Sequence, residues 1–159
     1  MSVTADILRT YRAPRAVMRR HLSSGARDDR ALAFLMAACL LIFVSQWPSL
    51  ARAAHLDPSI PLDARLGGAL LAMLFMLPLI CYAIAAVAHL LARMVGGRGS
   101  WLSARLALFW SMLAISPLML LQGALAGLVG GAVSVVTGIV VLGLFLRIWG
   151  AAMAEAESG

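Results

Sequence analysis

The sequence predicts an all-α polytopic membrane protein with four transmembrane helices, preceded by an amphipathic cytoplasmic N-terminal helical arm. Three observations carry that prediction. Of the 159 residues, 62% are apolar and only 13% are charged, against roughly 45–50% and about 25% in soluble domains. The charges leave uncharged runs of 21, 27 and 41 residues, at 31–51, 66–92 and 106–146. A bilayer core of about 30 Å takes about 20 helical residues, so the first two runs give one crossing each and the third gives two. Finally, stretches such as LLAMLFMLPLI are apolar on every side and lack the alternation of a transmembrane barrel strand.

Net charge alone points elsewhere. The thirteen cations, all arginine, stand against seven acids, a formal charge of +6. A nucleic-acid-binding domain would display those arginines on an aqueous surface, and the long apolar runs leave no room for one. Nucleic acid is therefore not an expected partner.

Taken in chain order, residues 1–30 form the basic arm. Ile7, Leu8, Tyr11, Met18 and Leu22 fall on one side at helical period and Arg9, Arg12, Arg19 and Arg20 on the other, the pattern of a helix lying in the membrane interface. Pro14 predicts two short helices instead of one. The plainer alternative is a loosely ordered arm whose arginines only fix topology. The membrane domain covers 31–149, with span one at about 31–51. Asp28 and Asp29 are placed to cap it, Trp47 lies near its outer end, and Pro48 is expected to disturb its last turn. The loop 55–63, with Pro58 and Pro61, breaks the helix. Span two, about 66–92, is long enough to tilt, and Pro78 predicts a kink. Span three covers about 106–125 and contains Ser116-Pro117. Span four, about 132–149, ends on Trp149, and 150–159 is a cytoplasmic tail. Cys39 and Cys81 fall inside spans, where a small soft side chain packs.

Arginine counts orient the chain. Residues 1–30 hold seven, 52–65 two, 93–105 three, the turn between spans three and four none, and the tail one, Arg147. Alternate segments therefore carry eleven against two, which by the positive-inside rule puts both termini in the cytoplasm. The arginine-only, alanine-rich composition suggests a GC-rich bacterial genome and hence an inner membrane.

Chemistry is sparse. No Asp, Glu, Lys or Arg sits at mid-membrane depth, where ion-coupled transporters keep them despite the insertion cost. His89 has no second histidine at matching depth for a haem, so an interfacial, hydrogen-bonded histidine is expected. No zinc-ligand cluster, phosphate-binding glycine loop or histidine–carboxylate pair is legible. Ser116 is expected to satisfy backbone carbonyls freed by Pro117. No catalytic residue, metal or cofactor is expected. Gly123-x-x-x-Gly127-x-x-x-Gly131 reads either as a seam for close helix approach or as the flexible turn of a hairpin. The segment 92–110 joins two spans through Gly96, Gly97 and Gly99, among Arg93, Arg98 and Arg105, with Trp101 at interface depth. Arg19, Arg20, Arg98 and Arg105 are the candidates to meet lipid phosphates; the plainer reading of this segment is an ordinary loop with topogenic charges.

A long apolar helix followed by Gly96-Gly97-Arg98-Gly99-Ser100, the bulky Trp101, and a further helix bearing Pro117-Leu118 resembles the Yip family, named for Ypt/Rab-interacting proteins. The resemblance extends loosely over 31–149. It implies a helical membrane domain that organises membranes or protein traffic, with no catalytic residues to carry over. The chain shows four spans where the family usually has five, so the GTPase binding of eukaryotic relatives is not carried over. The expected role is a non-enzymatic scaffold or adaptor, pairing small-residue helix faces with itself or other membrane proteins and setting its arm on anionic lipid. The alternatives are a small permease or channel subunit lined by Ser116, Gln122 and Thr137, or an accessory subunit of a larger complex.

Overall fold

The computed structural model describes residues 3–25 and 27–158; Met1, Ser2 and Ala26 of the expected arm and Gly159 of the tail lie outside them. All regular structure among the described residues is helical. Two short helices, α1 (Val3–Arg12) and α2 (Pro14–Ser23), meet at Ala13, as Pro14 predicts. Then come α3 (Asp28–Leu56), α4 (Leu62–Leu71) continuing into α5 (Leu77–Met94), α6 (Trp101–Leu128) and α7 (Gly131–Ala156). Four helical rods, α3, α4 with α5, α6 and α7, are long and apolar enough to cross a membrane.

Each rod extends past its expected limits. α3 runs on beyond Pro48 to Leu56, so the proline does not end the helix. Its N-cap is Arg27 without a side-chain cap bond, and Asp28 and Asp29 lie in the first turn, where acids favour the positive end of the helix dipole. Asp28 pairs with Arg105 at 3.0 Å. Pro78 does leave a mark. It has no N–H to give Leu74 and its ring crowds that carbonyl, and just before it the chain widens into a π turn at Ala72–Met76. Over Pro117, α6 stays continuous, and Ser116 Oγ donates to Leu113 O at 2.8 Å. Leu113 is the residue whose partner the proline removes, so the hydroxyl acts as expected.

The glycine pattern divides between its two readings. A Cβ on Gly123 would overlap the Ser45 carbonyl and one on Gly127 would overlap Pro48, so these two form the seam between α6 and α3. Gly130 and Gly131 hold φ of 65° and 57°, the left-handed region that favours glycine, and make the turn into α7.

The helix α6 is the axis of the bundle. From Ser103 to Ser116 nearly every residue is buried, enclosed by α3, α5, α7 and the arm. The apolar stretch of α6 is 67% buried, against 11% for α4 with α5 and 6% for α7. The latter two touch the bundle along one edge and turn the rest of their surface outward.

Candidate functional site

The arginine-rich segments converge at one end of the bundle. Arg19 pairs with Glu155 at 2.6 Å, Arg105 with Asp28, and Arg147 Nη1 donates to Tyr11 O at 3.5 Å. The other end holds Arg52, bonded to the carbonyls of Gly127 and Leu128 at 3.3 Å, and Arg65, paired with Asp57 at 3.2 Å. The eleven-to-two division of arginines thus has a geometric counterpart.

The segment from Gly96 to Trp101 is built around a residue that sequence reading passed over. Glu157, just beyond α7, is buried here. Its Oε1 lies 2.7 Å from His89 Nδ1, its Oε2 accepts the Gly99 N–H at 3.1 Å, and its backbone carbonyl accepts the Arg98 N–H at 2.9 Å. A histidine–carboxylate pair therefore exists, correcting the expectation that there was none. Sixty-eight residues separate the partners, so no local spacing announces it. The expectation for His89 itself, a hydrogen-bonded histidine, agrees with this geometry. Trp101 packs on its ring with centroids 4.6 Å apart, while His89 Nε2 is buried without a hydrogen-bond partner.

The glycines have a reason in the same contact. A Cβ on Gly97 would press on Glu157 Oε2 and the Ala92 carbonyl, and one on Gly99 on the Ala156 carbonyl. Gly96, at φ 94°, meets nothing and serves the turn. Ser100 and Ser103 then start α6 with a reciprocal capping box. The loop is thus a clasp on the end of α7, and residues 150–157 of the expected tail are part of the bundle.

The arm is folded in as well. Its expected apolar face divides: Met18 is fully buried, Ile7 and Leu22 pack on the core, and Leu8 is 70% exposed. Asp6 and Thr10, polar residues, are buried. Thr10 Oγ1 accepts from Trp110 Nε1 at 3.1 Å and donates to Asp6 O at 2.7 Å, Tyr11 Oη donates to Ala114 O at 2.5 Å, and Arg20 pairs with Asp6. The arm therefore packs part of its apolar side on the bundle, against α6 and α7. Periodicity identifies such a face without saying whether protein or lipid covers it.

His21 closes this network. It packs tilted against Trp110 and edge-on against Phe34, with centroids 4.2 and 5.6 Å away, and Arg30 Nη2 lies 3.2 Å from its Nδ1. Burial, with the Arg30 and Arg20 charges beside it, pushes its pKa down to about 4 against the opposing pull of Asp6. A histidine depressed from its ordinary value near 6.5 favours the folded arm above that pH and opposes it as pH falls towards 4. By about pH 4.5 the loss amounts to about 2–3 kcal/mol. Limited proteolysis of the arm should accelerate over that interval in the wild type and lose most of the acid response in His21→Gln; a wild-type rate flat with pH would contradict this arrangement.

The four expected lipid-contact arginines are unequal. Arg19, Arg20 and Arg105 pair with Glu155, Asp6 and Asp28, and of the four Arg19 and Arg98 are exposed. Of the polar residues expected to line a pore, Ser116, Gln122 and Thr137 each direct their side chain at a helix backbone carbonyl. Between α5 and α7 lies an apolar cavity of about 460 Å³ with Met112 and Met119 of α6 on its wall. No group of three His, Cys, Asp or Glu able to hold a metal occurs among the described residues.

Four apolar rods, three of them packed against the enclosed α6, with a glycine loop clasping the end of α7, define a polytopic helical membrane protein. A family model described as the Yip1 domain matches residues 8–156, nearly the whole chain, and the protein belongs to that family. The match begins within the arm, ahead of the region that carries the resemblance by motif. A search of curated proteins and of solved structures finds no match.

Proposed function

We propose that the chain is a non-enzymatic scaffold or adaptor of a bacterial inner membrane, with its arginine-rich end in the cytoplasm against anionic lipid. The observation that carries this reading is the uneven burial of the spans. α6 is enclosed while α7 and α4 with α5 offer long apolar faces outward. Within a bilayer such faces associate with other helices through packing. The arginine asymmetry supports the orientation, and of the expected lipid contacts Arg19 and Arg98 are exposed while Arg20 and Arg105 are partly covered.

Photo-crosslinkers at the exposed positions Leu79, Val136 and Ile139, introduced in cells, are expected to capture a second copy or another membrane protein. Adducts with lipid alone would overturn the scaffold reading, and solute flux in proteoliposomes of the pure protein would replace it with a permease. Reporter fusions at Arg98 and Asp57 are expected on opposite faces of the membrane, with Arg98 in the cytoplasm.

A further inference from the structure

We infer that the concavity where the turn of the arm meets α7 binds the phosphodiester of an anionic phospholipid headgroup. Four arginines from three elements line it: Arg12 at the end of α1, Arg15 in the first turn of α2 with Arg19 one turn on, and Arg147 on α7. Ala13, Pro14, Ala16 and Ala151 complete a wall of small side chains around about 430 Å³. No acid lines it, and the nearby carboxylate, Glu155, is engaged by Arg19.

The fold imposes this clustering of like charge. Pro14 turns the chain so that Arg12 and Arg15 flank one corner, and Tyr11 fixes that corner to α6 through Ala114 and to α7 through Arg147. Arg12 and Arg147 therefore stand in this small volume with no carboxylate against them among the described residues, while Arg15 shares the Glu155 charge with Arg19, so the cluster keeps an excess of positive charge that an anion relieves. The lack of a side-chain cap or any acid in the first turn of α2 adds to the positive potential.

Depth selects the anion. Arg147 closes the longest uncharged run, which sets the headgroup plane near this level. Arginine forks match phosphate oxygens in bidentate fashion. A glycerol headgroup leaves the phosphodiester charge uncompensated, whereas choline would bring its own cation against the arginines. The residues differ from those picked out by sequence, because Arg12, Arg15 and Arg147 meet only through the folded arm.

The inference rests on the anionic-lipid part of the proposed reading and is separable from its scaffold part. The full chain would be extracted from vesicles of mixed phosphatidylcholine and phosphatidylglycerol and its retained lipids weighed by native mass spectrometry. The wild type should keep phosphatidylglycerol preferentially, and Arg12→Gln/Arg147→Gln should reduce that preference about tenfold or more. Arg9→Gln/Arg93→Gln, which removes the same charge from exposed positions outside the concavity, should change it less than about twofold. Arg12→Lys/Arg147→Lys controls for folding and should retain part of the preference. Equal losses in the two glutamine variants, or no preference in the wild type, would overturn the site. Loss of retained phosphatidylglycerol to millimolar inorganic phosphate would reassign it to a soluble phosphate. The side-face cross-links of the scaffold reading should persist in all these variants, so failure of either idea is visible without the other.

Discussion

Gly123→Ala is expected to destabilise the bundle by about 3 kcal/mol, at the upper end of overpacking costs. The reason is the identity of the obstacle. A Cβ at this position runs into the backbone carbonyl of Ser45, which cannot rotate away as a side chain tip does, so α3 and α6 must separate. That separation would loosen the most extensive helix pairing in the molecule. Gly127→Ala meets the Pro48 ring one turn further on and should act in the same direction. The two effects should be less than additive, because a helix pair already forced apart has less to lose at its second contact. Gly143→Ala is the control, since nothing lies within 4 Å of its Cβ; helix propensity alone should make it neutral to slightly stabilising. Thermal unfolding in detergent, followed by circular dichroism, reads all three. If Gly123→Ala melted with or above the wild type, the close approach of α3 and α6 would be wrong.

What the sequence discloses about this fold follows from which forces are local. The number of helical rods is written in the uncharged runs, because a low-dielectric slab excludes charge over a fixed length of helix. Pro14 and Pro78 announce a break and a distortion because the missing N–H acts within a single turn. Pro48, expected to disturb the last turn of its span, instead lies inside α3, which runs on to Leu56 with Pro48 packed on Gly127 of α6. The seam at Gly123 and Gly127 and the turn at Gly130 and Gly131 are chemically the same in sequence and separate only when the facing backbone is known. The arm shows the same limit more plainly. Its helical period is visible, but Asp6, Thr10 and His21 are buried only because Trp110, 100 residues from Thr10, supplies the partner surface. Glu157 is the extreme case: a carboxylate near the end of the chain looks solvated until Gly97, Gly99 and His89 are brought around it.

The dense contacts at the arginine-rich end explain how a bundle with two lightly packed rods keeps its shape. α7 is joined to α6 along one face, and beyond that it is held at its end by the Glu157 clasp and by the arm through Arg19 and Arg147. The outward faces offered by α5 and α7 in the scaffold reading are therefore oriented from this end. The arm, the glycine loop and the end of α7 form one unit, so a change in any of them alters how α7 presents itself in the membrane.

That dependence gives the second large effect, at Glu157. Glu157→Ala removes the acceptor of the Gly99 N–H and the partner of His89 Nδ1 together. Each buried donor left without an acceptor costs about 1–3 kcal/mol, so a loss of ~3 kcal/mol is expected. Glu157→Gln keeps one carbonyl oxygen and should recover about half of it, separating hydrogen bonding from packing. Gly99→Ala attacks the clasp from its other side, because its Cβ falls on the Ala156 carbonyl, and should resemble Glu157→Ala although it leaves the carboxylate in place. Trp101 reports locally, as its ring lies on His89; a red-shifted emission and faster proteolysis at the end of α7 should accompany both changes, while the seam at Gly123 remains intact. Were Glu157→Ala to unfold at the wild-type temperature with unchanged Trp101 emission, the carboxylate would not be holding the loop, and the glycines of 96–99 would serve the turn alone.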